Sequence, residues 1–169
     1  DDKNTTKICN NDTIVQFLLG VIYYDNTYIL RDINKSIHYL SLSSNNNNSN
    51  AQYLLGKIYY EGKGITRDID KAIYYLSLAA NQNNSIAQLY LGKIYSEGLY
   101  ISSDIDKAIH FISLSANQKN QKAQLLLGKI YYDHSYSKYD INKAIDYFSL
   151  AAKQKNYYAQ YYLGIIYYS

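Results

Sequence analysis

A tandem repeat with a period of 36 residues constrains the fold of this chain more than any other feature. The pair Leu-Gly recurs with no insertion or deletion between copies, and its glycines stand 36 residues apart at Gly20, Gly56, Gly92, Gly128 and Gly164. A tyrosine follows three residues after each of these glycines. Periods of about 20–50 residues are typical of arrays in which each unit buries its apolar face against its neighbours. The sequence therefore predicts a stacked array.

Each repeat has the apolar spacing of two helices. In the second repeat, Ala51, Leu55 and Ile58 fall on one face of a first helix, and Ala72 and Leu76 belong to the apolar stripe of a second. A block Asp-Ile-Asx-Lys precedes each such stripe. Because aspartate caps helices well and complements the helix dipole, we expect N-caps or acidic first turns at Asp32, Asp68, Asp104 and Asp140.

The first helices carry a different start signal. The pattern Ser/Thr-x-x-Gln predicts a capping box, in which the hydroxyl accepts a backbone N–H and the glutamine reaches back, at Thr13/Gln16, Ser49/Gln52 and Ser85/Gln88. In the last two repeats we expect Asn120 and Asn156 to be the caps instead.

The glycine column lies within the predicted first helices, where a glycine costs about 0.5–1 kcal/mol relative to alanine. We therefore predict that another helix approaches closely at each glycine. The tyrosines in phase with the small-residue stripe are predicted to be core residues: Tyr23, Tyr59, Tyr95, Tyr131 and Tyr167, with Tyr39, Tyr75 and Tyr147 on the second helices.

The pattern Ala-x-x-x-Leu-Gly-x-x-Tyr-x-x-Gly-x-Gly, followed by Asp-x-x-Lys-Ala and a closing Ala-Ala, runs whole from Ala51 to Ala80. It resembles the Sel-1-like repeat, a branch of the tetratricopeptide-like α-solenoids. The resemblance implies an all-α fold, in which antiparallel helix pairs wind into a right-handed superhelical α-solenoid. Residues 13–169 would form one solenoid domain with repeats at 13–48, 49–84, 85–120 and 121–156 and a half repeat at 157–169. Residues 1–12 would be a disordered polar leader.

The joints, that is, the loops within and between repeats, depart from the family pattern. The loop glycines remain only at Gly62, Gly64 and Gly98, and the fourth repeat has His134, Ser135 and Tyr136 at its joint. The family's glycine after the Ala-Ala pair is replaced by Asn47, Asn83, Lys119 and Lys155. Loop geometry, especially in the fourth repeat, is therefore open.

Proteins resembling this family act as adaptors, and solenoids bind partners on an extended concave face lined by the first helices. The resemblance thus implies a scaffold, not an enzyme, that binds a partner protein or peptide on that face and needs no cofactor. Spacings of three and four place the candidate residues on one side of the first helices. These partner-binding candidates are Tyr24, Asn50, Tyr53, Lys57, Tyr60, Glu61, Leu89, Lys93, Glu97, Leu125, Lys129, Tyr132 and Tyr161.

Two alternatives stay open. Tyr, Asn, Ile and Lys share AT-rich codons, so genome composition could explain many of the 23 tyrosines. The array could also be the targeting or regulatory arm of a longer enzyme whose catalytic domain is not in this chain. In addition, residues 157–169 lack a second helix, so either the natural chain continues or this end pairs with another copy.

A nucleic-acid partner is not expected. The column Lys57, Lys93, Lys129 has an acid four residues after each lysine, and we expect these pairs to neutralise each other as a solvated face. The net charge of +3 is small for phosphate-dominated binding. Lys35, Lys71, Lys107 and Lys143 are predicted to be structural or solvated.

Catalysis and metal binding have little support in the sequence. His38 and His110 share a column but stand two repeats apart, on the order of 20 Å, which is too far for one metal. The single cysteine, Cys9, has no histidine or acid in fixed relation to it. No apolar run approaches the length of a transmembrane helix, so we expect no membrane span.

Overall fold

The computed structural model describes residues 12–25, 31–98 and 101–168, and within these ranges it contains nine α-helices and no strand. The all-α class is therefore confirmed. Residues 1–11, which include Cys9, lie outside the described residues, so the disorder of the leader stays a prediction. In chain order the helices are α1 (Thr13–Tyr24), α2 (Ile33–Asn45), α3 (Ser49–Glu61), α4 (Ile69–Asn81), α5 (Ser85–Glu97), α6 (Ile105–Asn117), α7 (Gln121–Tyr132), α8 (Ile141–Lys153) and α9 (Tyr157–Tyr168).

The capping boxes predicted for the first helices do not form. Thr13, Ser49 and Ser85 are already the first helical residues, so the cap lies one residue earlier. Asp12 and Asn48 have the extended backbone of an N-cap, and the side chain of each accepts two backbone N–H groups of the following helix. The asparagine caps predicted in the last two repeats are confirmed. Asn120 Oδ1 accepts the backbone N–H groups of Lys122 and Ala123, and Asn156 Oδ1 accepts that of Ala159. In the third repeat, Asn84 Oδ1 accepts the N–H of Ala87 in the same way.

The glutamines of the predicted capping boxes are buried, and Gln52 contacts both the second helix of its own repeat and the preceding repeat. Gln52 is 1% exposed, and its Oε1 accepts a 2.7 Å hydrogen bond from Nε2 of Gln82, the residue after α4. Its own Nε2 donates to the carbonyl oxygen of Ser44 on α2, at 3.4 Å. The amide pair recurs at 2.8 Å between Gln88 and Gln118 and between Gln124 and Gln154. A buried amide needs such partners, because an unpaired one loses its hydration without compensation.

The aspartate caps of the second helices are confirmed. The side chain of Asp68 accepts the backbone N–H of Lys71 at 2.9 Å, and its own N–H donates to the carbonyl oxygen of Tyr59 at 3.1 Å. These two bonds tie the start of the second helix to the end of the first. The same pair of bonds forms at Asp32, Asp104 and Asp140.

The residues that replace the family's glycine keep a glycine-like backbone. Asn47, Asn83, Lys119 and Lys155 all have φ between 60° and 65°. Asparagine tolerates this left-handed region, whereas lysine is strained there. At the joint of the fourth repeat, Asp133 Oδ1 accepts the N–H of Ser135 at 2.8 Å, and His134 stacks on Tyr139 with ring centroids 3.8 Å apart. Residues 26–30 of the first joint lie outside the described residues.

The close approach predicted at the glycine column is confirmed in four repeats. A Cβ added to Gly20 or Gly56 would lie 2.6 Å from Cγ of the leucine twenty residues later, Leu40 or Leu76. Gly92 meets Ile112 and Gly128 meets Phe148 in the same way. At Gly164, on the last described helix, nothing lies within 4 Å.

The chain divides into two compact units, Asp1–Ala87 and Gln88–Ser169. In the first unit, the core cluster is formed by Leu40 on α2 and by Ala51, Leu54, Leu55 and Ile58 on α3. In the second unit, one cluster contains residues of α5, α6 and α7, and another contains residues of α7, α8 and α9. The phased tyrosines lie half-buried at the margins of the cores, except Tyr167 on the last described helix, which is 69% exposed.

Candidate functional site

The candidate face consists of the solvent-directed sides of the first helices. Twelve of the thirteen candidate residues are half-buried or exposed. Leu89 is the exception, with 3% exposure, so its assignment to an exposed column is wrong. Its side chain lies in a core cluster with residues of α6 and α7, among them Ala108 and Leu127. Helical spacing predicts on which side of the helix the Leu89 side chain lies, but it does not predict which residues of other helices cover it.

In the first unit, the candidate residues at the end of α3 gather around the ring of Tyr24. The Lys57 ammonium lies 5.5 Å from the ring centroid and the Arg31 guanidinium 5.2 Å from it. The hydroxyl of Tyr24 donates to Glu61 Oε2 at 3.4 Å. Glu61 also pairs with the ammonium groups of Lys57 at 3.9 Å and Lys63 at 3.4 Å. The neutralisation predicted for Lys57 and Glu61 is therefore confirmed.

The remaining candidates of the first unit lie at other positions along α3. Tyr53 and Tyr60 are half-buried, and Tyr53 packs against the core cluster of the unit. Asn50 is exposed, and its side-chain oxygen accepts a 3.2 Å hydrogen bond from the Asn84 amide. This part of the face thus combines tyrosine rings with an exposed amide and a paired acid.

In the second unit, Lys129 differs from Lys57. Among the described residues no ion pair joins it to Asp133, so the predicted neutralisation is wrong at this position. The Lys129 ammonium lies instead 5.5 Å from the ring centroid of Tyr162 and 5.9 Å from that of Tyr158. The carboxylate of Asp133 accepts the Ser135 N–H, since the chain turns away from helical geometry at this C-cap.

Two clefts flank Lys129 and Asp133 in the second unit. One, of about 420 Å³, is lined by Lys129, Asp133, Tyr132, His134 and Tyr162. The other, of about 270 Å³, is lined by both residues together with Lys93, Ser96, Glu97, Leu126, Ile130 and Tyr136.

Of the other candidates in this unit, Lys93 lies 5.7 Å from the ring centroid of Tyr90, and Leu125 packs against a core cluster. Tyr161 is 64% exposed. The structure thus brings Lys93, Glu97, Lys129 and Tyr132 to two adjoining clefts, and it leaves Tyr161 on open surface.

A second recurrent arrangement lies where each second helix begins. The sequence reasoning did not predict its contact between a lysine and a tyrosine ring. The Lys71 ammonium pairs with Asp68 at 3.1 Å and lies 5.2 Å from the ring centroid of Tyr59, which stacks on Tyr75 at 5.9 Å. The other three complete repeats have the same ion pair, cation–π contact and ring stack. The spacing Asp-x-x-Lys could have revealed the ion pair, whereas the ring contact depends on the packing of two helices.

Ionisation at the joints follows from these contacts. The backbone N–H of Lys71 lowers the pKa of the Asp68 carboxyl below its ordinary value, and the corresponding lysine N–H does the same at Asp32, Asp104 and Asp140. The backbone N–H and then the hydroxyl of Ser135 lower the pKa of Asp133. Burial raises the pKa of Tyr75 and Tyr131. The acids are therefore charged at neutral pH and stabilise helix starts and turns.

No cluster of His, Cys, Asp or Glu able to hold a metal ion occurs within 12–25, 31–98 and 101–168. His38 and His110 are exposed, and each contacts the ring that follows it, Tyr39 or Phe111, edge-on. No helix in the described part of the chain is long and apolar enough to span a membrane.

Comparison with known families gives a match over nearly the whole chain. The model of the Sel1 repeat matches residues 14–48, 49–84, 85–120, 121–156 and 158–169. These bounds agree with the predicted repeats to within one residue. No curated protein matches the chain.

Two solved structures are similar in sequence and fold. One is a protective antigen present in uropathogenic Escherichia coli strains that displays an SLR fold: it is 30% identical, with a TM-score of 0.84 over 93% of this chain and 34% of that chain. The other is a Sel1 repeat protein from Oxalobacter formigenes: it is also 30% identical, with a TM-score of 0.82 over 94% of this chain and 65% of that one. This chain therefore spans about a third of the first relative's length and 65% of the second's.

A more distant structure shares only the fold. An immunity protein from Pseudomonas aeruginosa is 16% identical, with a TM-score of 0.54 over 88% of this chain and 71% of that chain. Together, the repeat matches and the two closer structures confirm the predicted all-α solenoid.

Proposed function

The chain belongs to the Sel1 repeat family, and from that premise we propose that it is a protein-interaction scaffold that binds a partner protein or peptide on the exposed face of its first helices. In solenoids this face lines the concave side of the array, where extended partners bind. The scaffold role requires no cofactor and no reaction. The modest net charge of +3 favours a protein partner over a nucleic acid.

The observation that carries the proposal is the pair of adjoining clefts in the second unit. They combine tyrosine rings, aliphatic side chains and a few charged groups, which is the composition of surfaces that bind peptides. Tyrosine contributes a large, rigid contact area with a polar tip, and few of its rotamers are lost on binding. In the first unit, Tyr24, Tyr53 and Tyr60 supply the same residue type on the corresponding helices.

A matched pair of exposed tyrosines tests the proposal against compositional bias. Tyr161 lies on a first helix and is 64% exposed, whereas Tyr74 lies on a second helix and is 59% exposed. The full chain would be used as bait, the captured partner identified by mass spectrometry, and its purified form titrated against each variant. Tyr161→Ser should weaken binding by about tenfold and Tyr74→Ser should leave it unchanged. Equal affinities, or loss only with Tyr74→Ser, would refute the assignment of the face.

A further inference from the structure

In the larger of the two clefts, the aromatic side chains of the wall pack against one another and against a buried ring. The Tyr132 ring stands edge-on to Tyr162, with centroids 5.7 Å apart and an interplanar angle of 66°. Phe148, which is fully buried, stacks on Tyr162 at 4.8 Å and contacts Tyr132 edge-on at 6.3 Å. Each ring is therefore held by the other two, so ligand binding would cost little conformational entropy of these side chains.

One residue that lines this cleft, Lys129, is a cation without an acidic ion-pair partner among the described residues. Lys129 is exposed, its ammonium lies over the rings of Tyr162 and Tyr158, and it forms no ion pair with any residue described in the structure. The corresponding lysine of the first unit, Lys57, is in contrast paired with Glu61. An ammonium held against aromatic faces can still bind an anion on its open side.

The cleft presents the Lys129 ammonium together with the Asp133 carboxylate. Asp133 accepts the Ser135 N–H, which stabilises its charged form. An anion placed on the Lys129 ammonium is attracted by it, and Asp133 weakens that attraction. The tyrosine walls are suited to an apolar group next to such an anion.

We propose that the cleft formed by Lys129, Tyr132 and Tyr162 binds a carboxylate of a partner peptide, with the apolar side chain beside that carboxylate packed on the two tyrosine rings. This inference rests on the proposed scaffold function and names one chemical group that the partner presents. The carboxylate belongs either to the C-terminus of the peptide or to an Asp or Glu side chain.

Small probes separate these sources. Protein-observed NMR would follow the full chain during titration with N-acetyl-leucine, N-acetyl-leucinamide and the neutral-ended peptide acetyl-Leu-Glu-amide. A C-terminal carboxylate site binds the first probe and a side-chain carboxylate site binds the third, while leucinamide binds at least about tenfold more weakly than whichever probe binds. Equal shifts with leucinamide would overturn the proposal.

Substitutions at two residues test whether the cleft binds an anion or a cation. Lys129→Met should weaken the bound probe by about tenfold, and Lys129→Arg should retain it. Asp133→Asn removes a repelling charge and should tighten binding roughly two- to fivefold. Lys122→Met, at an exposed lysine on the same helix but outside the lining of the cleft, is the matched control and should change nothing. Weaker binding with Asp133→Asn would reveal a site for cations and contradict the proposal.

The outcomes also separate this inference from the scaffold function. If the captured partner binds through Tyr161 while no carboxylate probe binds at Lys129, the carboxylate site is wrong and the scaffold stands. If the probes bind as expected but the partner ignores Tyr161→Ser, the cleft is an anion site without the proposed extended face. Thermal melts of each variant check that the fold is kept.

Discussion

Leu76 occupies the space in which Gly56 would carry a side chain, since a Cβ built on the glycine would lie 2.6 Å from Leu76 Cγ and 3.0 Å from the Leu76 backbone nitrogen. The first and second helices of a repeat therefore approach so closely that only glycine fits at this position. The same contact recurs at three more glycines, each with a bulky residue twenty positions later.

Gly56→Ala should lower the free energy of unfolding by about 1–3 kcal/mol, because the added methyl group overpacks the contact with Leu76. Gly164→Ala is the matched control: it occupies the same place in its repeat, but nothing lies within 4 Å of it. There the better helix propensity of alanine should leave stability unchanged or raise it by up to about 1 kcal/mol. Chemical denaturation measures both, and equal destabilisation by the two variants would contradict the packing explanation.

Gln52→Ala should lower stability by about 1–3 kcal/mol, because it removes a buried amide that accepts a hydrogen bond from Gln82 and donates one to the carbonyl oxygen of Ser44. Gln160→Ala is the control, since Gln160 holds the same place in the half repeat but is exposed. Thermal melts of the two variants should differ by several degrees. A neutral effect of Gln52→Ala would show that the amide pair within the repeat does not stabilise the fold.

Lys119→Gly and Lys155→Gly should each raise the melting temperature, by an amount equivalent to about 1 kcal/mol. Their φ angles of 62° and 65° strain an L-residue with a Cβ but not glycine. Lys153→Gly, in the last turn of α8, provides the opposite control and should destabilise by a similar amount. If the two turn variants also destabilise, lysine is not strained in these turns.

The capping aspartates predict how stability depends on pH. Because the folded chain holds the pKa of Asp32, Asp68, Asp104 and Asp140 below the ordinary 3.8, the unfolded chain binds more protons near pH 4. This contribution to stability is fully present above the unfolded pKa and is lost as pH falls through the lower folded values. A variant with asparagine at all four positions should therefore lose less in melting temperature between pH 7 and pH 3 than the natural chain.

Asparagine is a suitable replacement because it also caps helices, so the variant should remain folded at neutral pH. Parallel losses of melting temperature in the two proteins would mean that these carboxylates do not govern the acid response.

The sequence predicted those features that depend on local chemistry repeated in register. The period, the helix pairs, the aspartate caps and the glycine contacts each recur in at least four copies, so one copy supports the next. The prediction of capping boxes was wrong because Thr13 follows Asp12 and Ser49 follows Asn48. Either neighbour is a good cap, and the pattern does not state which backbone is extended.

The site was predictable only in outline. Spacing placed Lys57 and Lys129 in one column, but it could not show that one pairs with Glu61 while the other lies over the rings of two tyrosines. Exposure likewise depends on neighbours from other helices, which is why Leu89 is buried although Tyr53, in the same column, is only half-buried.

The most direct test of the scaffold function is site-specific photo-crosslinking to the captured partner. A photoreactive phenylalanine analogue would replace Tyr60 or Tyr161 on the first helices, and Tyr74 or His110 on the exposed sides of the second helices. The first two positions should cross-link to the partner at equal light dose, and the last two should not. Cross-links from Tyr74 or His110, with none from Tyr60 and Tyr161, would contradict the proposal that the first helices form the binding face.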